Sequence, residues 1–281
     1  MNLKTFNFYQ YVKDRVLHKA PERVFLADEN TYRELKLDFP FRTTHYGIGF
    51  NYGDGQTQCR IGSQEYLLSE GSVITVGPGI VTQWQRNYQL RNRTLFFSEE
   101  LLADLGISNI RNEPCFHHGG NHVVNVGESE LLILRKMFSL IRSFIDDEAV
   151  LTGLVFSLFR YISQLNRTTA INANKGNNEQ IVIRFRSLLA RDFIERKEVG
   201  HYAGLLNLSP QYLSEILREA TGKSAKELIT EQVIWEAKSL LKQTNMTVQE
   251  ISYWLGYDDQ SYFARMFKKQ SGITPAEYRR Q

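Results

Sequence analysis

The sequence predicts an α+β protein in two parts: an N-terminal β-barrel with packed helices and a C-terminal all-α domain of two helix-turn-helix units joined by a helix. Three observations carry this expectation. Short alternating apolar runs between Gly-containing turns occupy residues 24–97. From residue 128 onward, apolar residues recur at spacings of three and four, the period of helices with one packed face. Between two such helical regions lies RTTAINANKGNN, residues 167–178, polar and poor in apolar side chains. The expected division is residues 1–166, a linker at 167–179, and residues 180–281. A chain of 281 residues has room for two domains.

Apolar residues make up 42% of the chain and aromatics 12%, enough for packed cores. No segment approaches the roughly 18 unbroken apolar residues of a membrane span, and MNLKTFNFYQYVKDR lacks the apolar run of a signal peptide. A cytoplasmic protein without membrane contact is expected. Cys59 and Cys115 stand outside any CxxC motif and should be reduced. The formal net charge is +3, and the excess falls in residues 180–281, which hold 15 Lys+Arg against 12 Asp+Glu. Such a footprint holds random DNA weakly, so nucleic-acid binding would rest on a few placed contacts and on dimerisation.

In chain order, residues 1–24 carry Phe6, Phe8, Tyr9, Tyr11 and Val12, which fit either a partly ordered N-terminal extension or a regulatory arm. Strands follow: Leu35 with Leu37 and Ile48 with Phe50 alternate, and turns recur at 51–55 and at Gly62-Ser63. Tyr66-Leu67-Leu68, Gly71, Val73-Ile74-Thr75-Val76 and Gly77-Pro78-Gly79 resemble the small-barrel strand pair of cupin domains. Enzymes on that barrel hold a metal with a His pair, a carboxylate and a later His. Residues 24–97 offer only His45, and His117, His118 and His122 fall beyond them in a Gly-containing loop, where a structural or surface role is expected. No metal site, cofactor or catalytic residue is therefore predicted. A metal-free barrel offers a pocket, whose candidate effector-binding residues are Arg42, His45, Tyr46 and Trp84, each of which would serve equally in core packing.

Leu95 to Leu102 leaves the sheet, with Ser98 placed to cap a helix. Two helical runs follow. Glu128 to about Asp146 has Leu131, Leu134, Phe138, Ile141 and Ile145 on one face, and Glu148 to about Asn166 has Leu151, Leu154, Val155, Leu158, Phe159 and Ile162. Either stripe would serve for packing on the barrel or for dimerisation.

The C-terminal part begins with a helix from Gln180 to about Arg196, Ile181, Phe185, Leu188, Leu189 and Phe193 pointing inward. A short helix at 201–206 follows, then a turn with Ser209 as N-cap and Pro210 at the first helical position. On the helix 211–220, Leu213, Ile216, Leu217 and Ala220 should face in, and Gln211, Ser214, Glu215 and Arg218 out. A connecting helix from Ser224 to about Lys242 spans roughly 28 Å, enough to hold two reading helices near one ~34 Å turn of DNA apart. The second unit repeats the plan: Val248, Ile251 and Leu255, a stop at Gly256, a cap at Asp258 or Asp259, and a helix closed by Gly272. In that helix Tyr262, Phe263, Met266 and Phe267 should pack, leaving Gln260, Ser261, Ala264, Arg265 and Lys268 as a hydrogen-bonding face suited to a major groove.

Ile251, Gly256-Tyr257, Ser261-Tyr262-Phe263, Arg265, Phe267-Lys268-Lys269, Gly272, Thr274-Pro275 and Tyr278-Arg279 together resemble the C-terminal signature of AraC/XylS-type transcription regulators. The resemblance implies a sequence-specific regulator on double-stranded DNA, a homodimer, an N-terminal effector domain that takes a small molecule, and, in activators, contact with RNA polymerase. Arg265 would be the chief base reader, with Lys268, Lys269 and free helix-start N–H groups on phosphates. Two departures stand out: Val233 where the family commonly has Arg, putting a polar tether in doubt, and Ser252 where it has Ala. Glu215 would accept from a cytosine amino group or discourage wrong sites. A constitutive or partner-controlled regulator, and more remotely a barrel enzyme fused to a DNA-binding tail, are the alternatives.

Overall fold

The computed structural model describes residues 23–31, 39–53, 55–85, 91–103, 110, 113–117, 120–172 and 176–281. The expected N-terminal arm, the Leu35/Leu37 alternation and His118 lie outside these residues. The N-terminal part is two antiparallel sheets. One has strand order β1 (Val24–Asp28), β8 (Arg91–Phe97), β3 (Tyr46–Tyr52), β6 (Ser72–Val76), β9 (Val123–Asn125); the other has β2 (Phe41–Arg42), β7 (Val81–Trp84), β4 (Thr57–Ile61), β5 (Gln64–Leu68). The register pairs Ile48 with Thr75 on one side and with Leu95 on the other, so β3 is central and its two faces have opposite jobs. Tyr46, Ile48 and Phe50 face the helices, while Gly47 and Gly49 let the neighbouring strand's Phe96 and Thr94 approach the backbone on the inner face.

Beyond β8 come a short helix α1 (Glu100–Ala103), a 3₁₀ turn at Pro114–Phe116, and two long helices, α2 (Glu128–Ser143) and α3 (Glu148–Asn172). The predicted inward stripes of α2 and α3 are buried against the outer face of the first sheet, in one cluster with Tyr46, Ile48, Phe50, Leu95 and Phe97. Cys59, Ile61, Leu68, Ile74, Val76 and Ile80 fill the space between the sheets.

Two expectations are corrected. The chain returns to the sheet at Val123–Asn125, three residues too short to give a strand pattern, and β9 pairs with β6. The polar run 167–178 is no open linker along most of its length: α3 continues to Asn172 and the next helix begins at Asn177. Arg, Thr, Ala and Asn oppose a helix only weakly, and no Gly or Pro interrupts them before Gly176.

The C-terminal part comprises α4 (Asn177–Asp192), α5 (Val199–Leu205), α6 (Pro210–Thr221), α7 (Ala225–Gln243), α8 (Val248–Trp254), α9 (Gln260–Ser271) and α10 (Pro275–Arg280). A single core joins Phe185, Tyr202, Leu213, Leu217, Val233, Ile251, Leu255, Phe263 and Phe267, so both units share one hydrophobic core. Val233 sits fully inside this core, where an Arg would be uncompensated. The tether of α7 comes instead from Arg279, whose guanidinium donates to the Leu241 carbonyl at 3.1 Å and to the Met246 carbonyl.

Candidate nucleic-acid interface

The two units match at an offset of fifty residues in their reading helices. Ser209 and Asp259 cap them, Gly222 and Gly272 end them at φ 74° and 79°, and Ser224 and Thr274 open the next helices with capping boxes to Glu227 and Glu277. The preceding turns differ. The first passes through Asn207 at φ 56°, the second through Gly256 at φ 75°. A side chain at Gly256 would meet the Ile194 carbonyl at 2.7 Å, so left-handed backbone and lack of space both require glycine there. Ser252, the departure from Ala, donates from its buried hydroxyl to the Tyr257 carbonyl at 2.9 Å and holds the same turn.

Each reader is fixed by its caps and buried face. Ser209 Oγ accepts from the Tyr212 N–H at 3.2 Å. The Asp259 carboxylate accepts from the N–H groups of Ser261 and Tyr262 at 2.7 and 3.1 Å, which settles the predicted cap on Asp259. The helix starts are thus engaged: two of these donors serve Asp259, and Pro210 has none to offer, which removes part of the expected phosphate anchor.

The outward faces carry the expected residues, with four departures in burial. Gln211, Glu215 and Arg218 on α6 and Gln260, Ser261, Arg265, Lys268 and Lys269 on α9 are exposed, while Ser214 and Ala264 are half-buried. Ala220, expected inside, is exposed because it lies at the end of α6. Tyr262, also expected inside, is 53% exposed and stacks on Tyr257 with ring centres 6.0 Å apart. Its counterpart Tyr212 is exposed too. Both lie in a first helical turn, where the wheel places them near the packed arc but no partner helix covers them. They are the functional candidates that periodicity misses; an amphipathic ring at the same position of both units is the signal that finds them.

The faces differ electrostatically. On α6 one cation, Arg218, stands among Glu215 and Glu219; α9 carries Arg265, Lys268 and Lys269 and no carboxylate. Glu215 accepts from Gln211 Nε2 at 3.1 Å, so two expected readers of the first unit are bonded to each other. Arg265 lies 4.0 Å from Asp259, and both side chains are largely exposed, so the pair restrains the guanidinium only weakly.

The four barrel candidates do not converge. Arg42 leaves the barrel and pairs with Glu236 of α7. His45 is buried with Nδ1 3.1 Å from the Thr44 hydroxyl and its ring against Phe25, Tyr46 belongs to the helix-facing core, and Trp84 packs on the inter-sheet cluster. Tyr46 also lines a cleft of about 730 Å³ with Thr44, Glu99, His117, Leu188 and Arg191, between the barrel and α4. His122, from the histidine-containing loop, is buried with Nδ1 near the carbonyls of Thr75 and Cys115, a structural role. Cys59 and Cys115 are unpaired and buried, and burial pushes both thiols up to about 12, which disfavours the reactive thiolate. Among the described residues, no group of His, Cys, Asp and Glu has the geometry of a metal site, and no helix is long and apolar enough to cross a membrane.

Comparison with known proteins gives the following. A helix-turn-helix domain family matches residues 202–281. The chain is 42% identical over 275 residues to the arabinose operon regulatory protein of Escherichia coli, covering 90% of this chain and 86% of that protein. It is 24% identical over 283 residues to the Msm operon regulatory protein of Streptococcus mutans, covering 90% and 97%. Among solved structures, ToxT from Vibrio cholerae is similar at 15% identity and a TM-score of 0.40, covering 93% of this chain and 96% of that one.

Proposed function

The chain belongs to the AraC/XylS-type family of helix-turn-helix transcription regulators, and from that premise we propose how it reads DNA and how it is controlled. α6 and α9 enter successive major grooves, with α9 dominant in sequence recognition. The observation that carries this reading is the outward face of α9: three cations, no carboxylate and a fixed Asp259-capped start, beside an α6 face whose Glu215 repels phosphate. Arg265 reads a guanine through O6 and N7, assisted by Gln260 and Ser261, while Lys268, Lys269 and Arg218 hold phosphates. Gln211, Ser214 and Ala264 give the weaker base contacts.

Regulation is assigned to the N-terminal domain, a cupin-like module, with a small molecule in the cleft beside Tyr46 and His117. Its volume of about 730 Å³ suits such a ligand, and it touches both the barrel and α4 of the DNA-binding domain. A homodimer through α2 completes the proposal. The face of α2 opposite the barrel leaves Leu132, Ile133, Leu140 and Phe144 exposed, a second apolar stripe that barrel packing does not use. The protein acts in the cytoplasm as a regulator, not an enzyme, with RNA polymerase as a further partner.

Selection of bound sequences from a random DNA pool tests the core of this reading. It should return two short elements about one helical turn, ~10 bp, apart, repeated as half-sites; recovery of one isolated element would refute the two-reader arrangement. Light scattering on Ile133→Glu and Leu140→Glu should report monomers with unchanged helix content. A thermal-shift screen should find a metabolite that raises the melting temperature by mass action.

A further inference from the structure

The connecting helix is buried on more than the side that faces the helical core. At 100° per residue, Ile229, Val233, Ala237 and Leu240 form an arc facing the helical core, and Glu231, Gln232, Trp235, Glu236, Ser239 and Gln243 fall on the arc beside it. That second arc meets the barrel. Arg42 of β2 pairs with Glu236. Arg60 of β4 donates to Glu231 at 2.6 Å and lies with its guanidinium carbon 4.4 Å from the centre of the Trp235 ring. Gln243 Nε2 donates to the Pro40 carbonyl at 3.2 Å. Both arginines are mostly covered, and Glu236 almost entirely.

The chemistry of this contact is that of a junction that opens. A permanent interface buries apolar side chains, whereas the residues of α7 that bond to the barrel, Glu231, Glu236 and Gln243, are polar, and Trp235 alone among its partners is apolar. Gln232 Oε1, Trp235 Nε1 and Ser239 Oγ are buried there without a hydrogen-bond partner, so closure leaves polar atoms unsatisfied that water would serve when open. Buried ion pairs offset much of their attraction by desolvation. The exposed helix face would also be compatible with water. Arg60 further ties the contact to the barrel interior, because its strand neighbours Cys59 and Ile61 point into the inter-sheet core.

We propose that the outer surface of β2 and β4 is a docking surface for α7, and that Arg42–Glu236 and Arg60–Glu231 form a reversible ionic latch. Closed, the latch fixes both reading helices relative to the barrel. Open, it frees the DNA-binding domain to reorient as one body. The proposal depends on neither the effector site nor the dimer.

Spin labels on the full chain at Leu67→Cys of β5 and Gln270→Cys of α9, both exposed, test it by the distance distribution between the domains. The native thiols are buried and should not compete for the label. At low salt the wild type should give one narrow distance, and about 1 M salt should add a longer population. Arg60→Glu and Glu231→Arg should each add the same population, and their combination should remove it. Arg60→Gln, which introduces no repulsion, gives the reading should a reversal disturb folding as seen by circular dichroism. Lys223→Gln is the control, since Lys223 binds Glu231 at 2.8 Å within the same domain and its loss should leave the distance unmoved. A distribution insensitive to salt and to Arg60→Gln, or a double reversal that fails to restore it, overturns the latch.

Discussion

The reading helices α6 and α9 are built on one template and carry opposite surfaces. Cap, inward triad and terminal glycine recur at an offset of fifty residues: Ser209 and Asp259, Leu213/Ile216/Leu217 and Phe263/Met266/Phe267, the last with Met266 only partly buried, and Gly222 and Gly272. At the centre of the outward face, Glu215 stands where the second unit has Arg265. Folding constrains the template because those positions pack inward or fix backbone. It leaves the outward position free, so the difference there is not set by packing. One unit exposes a guanidinium, and the other a carboxylate already bonded to Gln211.

The sharpest way to break this comparison is through the shared core. Phe263 and Leu213 are fully buried in the same cluster. Phe263→Ala should cost about 3–5 kcal/mol and Leu213→Ala about 2–5 kcal/mol, and either should loosen both readers together. Urea unfolding followed by amide signals from α6 and α9 checks this. If one helix melted while the other stayed protected, the units would be separate bodies and the repeat a matter of sequence alone.

Next in size is the charge contrast. Arg265→Ala should weaken binding to the selected site by about 1–3 kcal/mol and binding to random DNA much less. Anisotropy titrations on both DNAs measure it, and equal losses would remove Arg265 as a reader. Glu215→Arg makes the first face resemble the second. It should steepen the dependence of log K on log salt by about 0.9, the signature of one more phosphate contact, while narrowing the gap between selected and random DNA.

Smaller still is the difference between the caps. Asp259 accepts two backbone N–H groups and Ser209 one, so replacement by Ala should cost about 1 kcal/mol at either and more at Asp259. Equal midpoint shifts in urea would show that the second bond adds nothing.

Legibility in the sequence followed the range of the forces. Ser209, Pro210, Gly256 and Gly272 act within a few residues of themselves, and the role expected of each is the one observed. The stripes of α2, α3 and α9 were legible for the same reason, apart from Tyr262, whose exposure depends on how far a neighbouring helix reaches. The pairing of Arg42 with Glu236 spans 194 residues and has no local signal. Nor has the return of β9, three residues whose partner strand lies fifty positions earlier. Glu215 was legible as an outward carboxylate, but its bond to Gln211 needed the side-chain geometry.

The last contrast is acid sensitivity. α8 opens with a capping box in which Glu250 accepts from Thr247, and hydrogen bonds from the Thr247 backbone and hydroxyl hold its carboxyl below the ordinary 4.5. α5 has no side-chain cap; beside it Asp192 is bonded by Arg191 and His201 and lies well below its ordinary 3.8. Both folded values are depressed, so each group stabilises the fold fully above its unfolded value and loses that contribution as pH falls through the folded one. For Glu250 the loss begins just below pH 4.5. For Asp192 it begins below 3.8 and extends further down, because its shift is the larger. On acidification the start of α8 should therefore lose protection from amide exchange before α5 does, by a small margin because Glu250 is solvent-exposed. Glu250→Gln should flatten the response of α8 between pH 5 and 4 and leave that of α5 unchanged. Should both helices respond alike in the variant, the box would be an ornament of the geometry, and the two units would share one acid-labile element elsewhere.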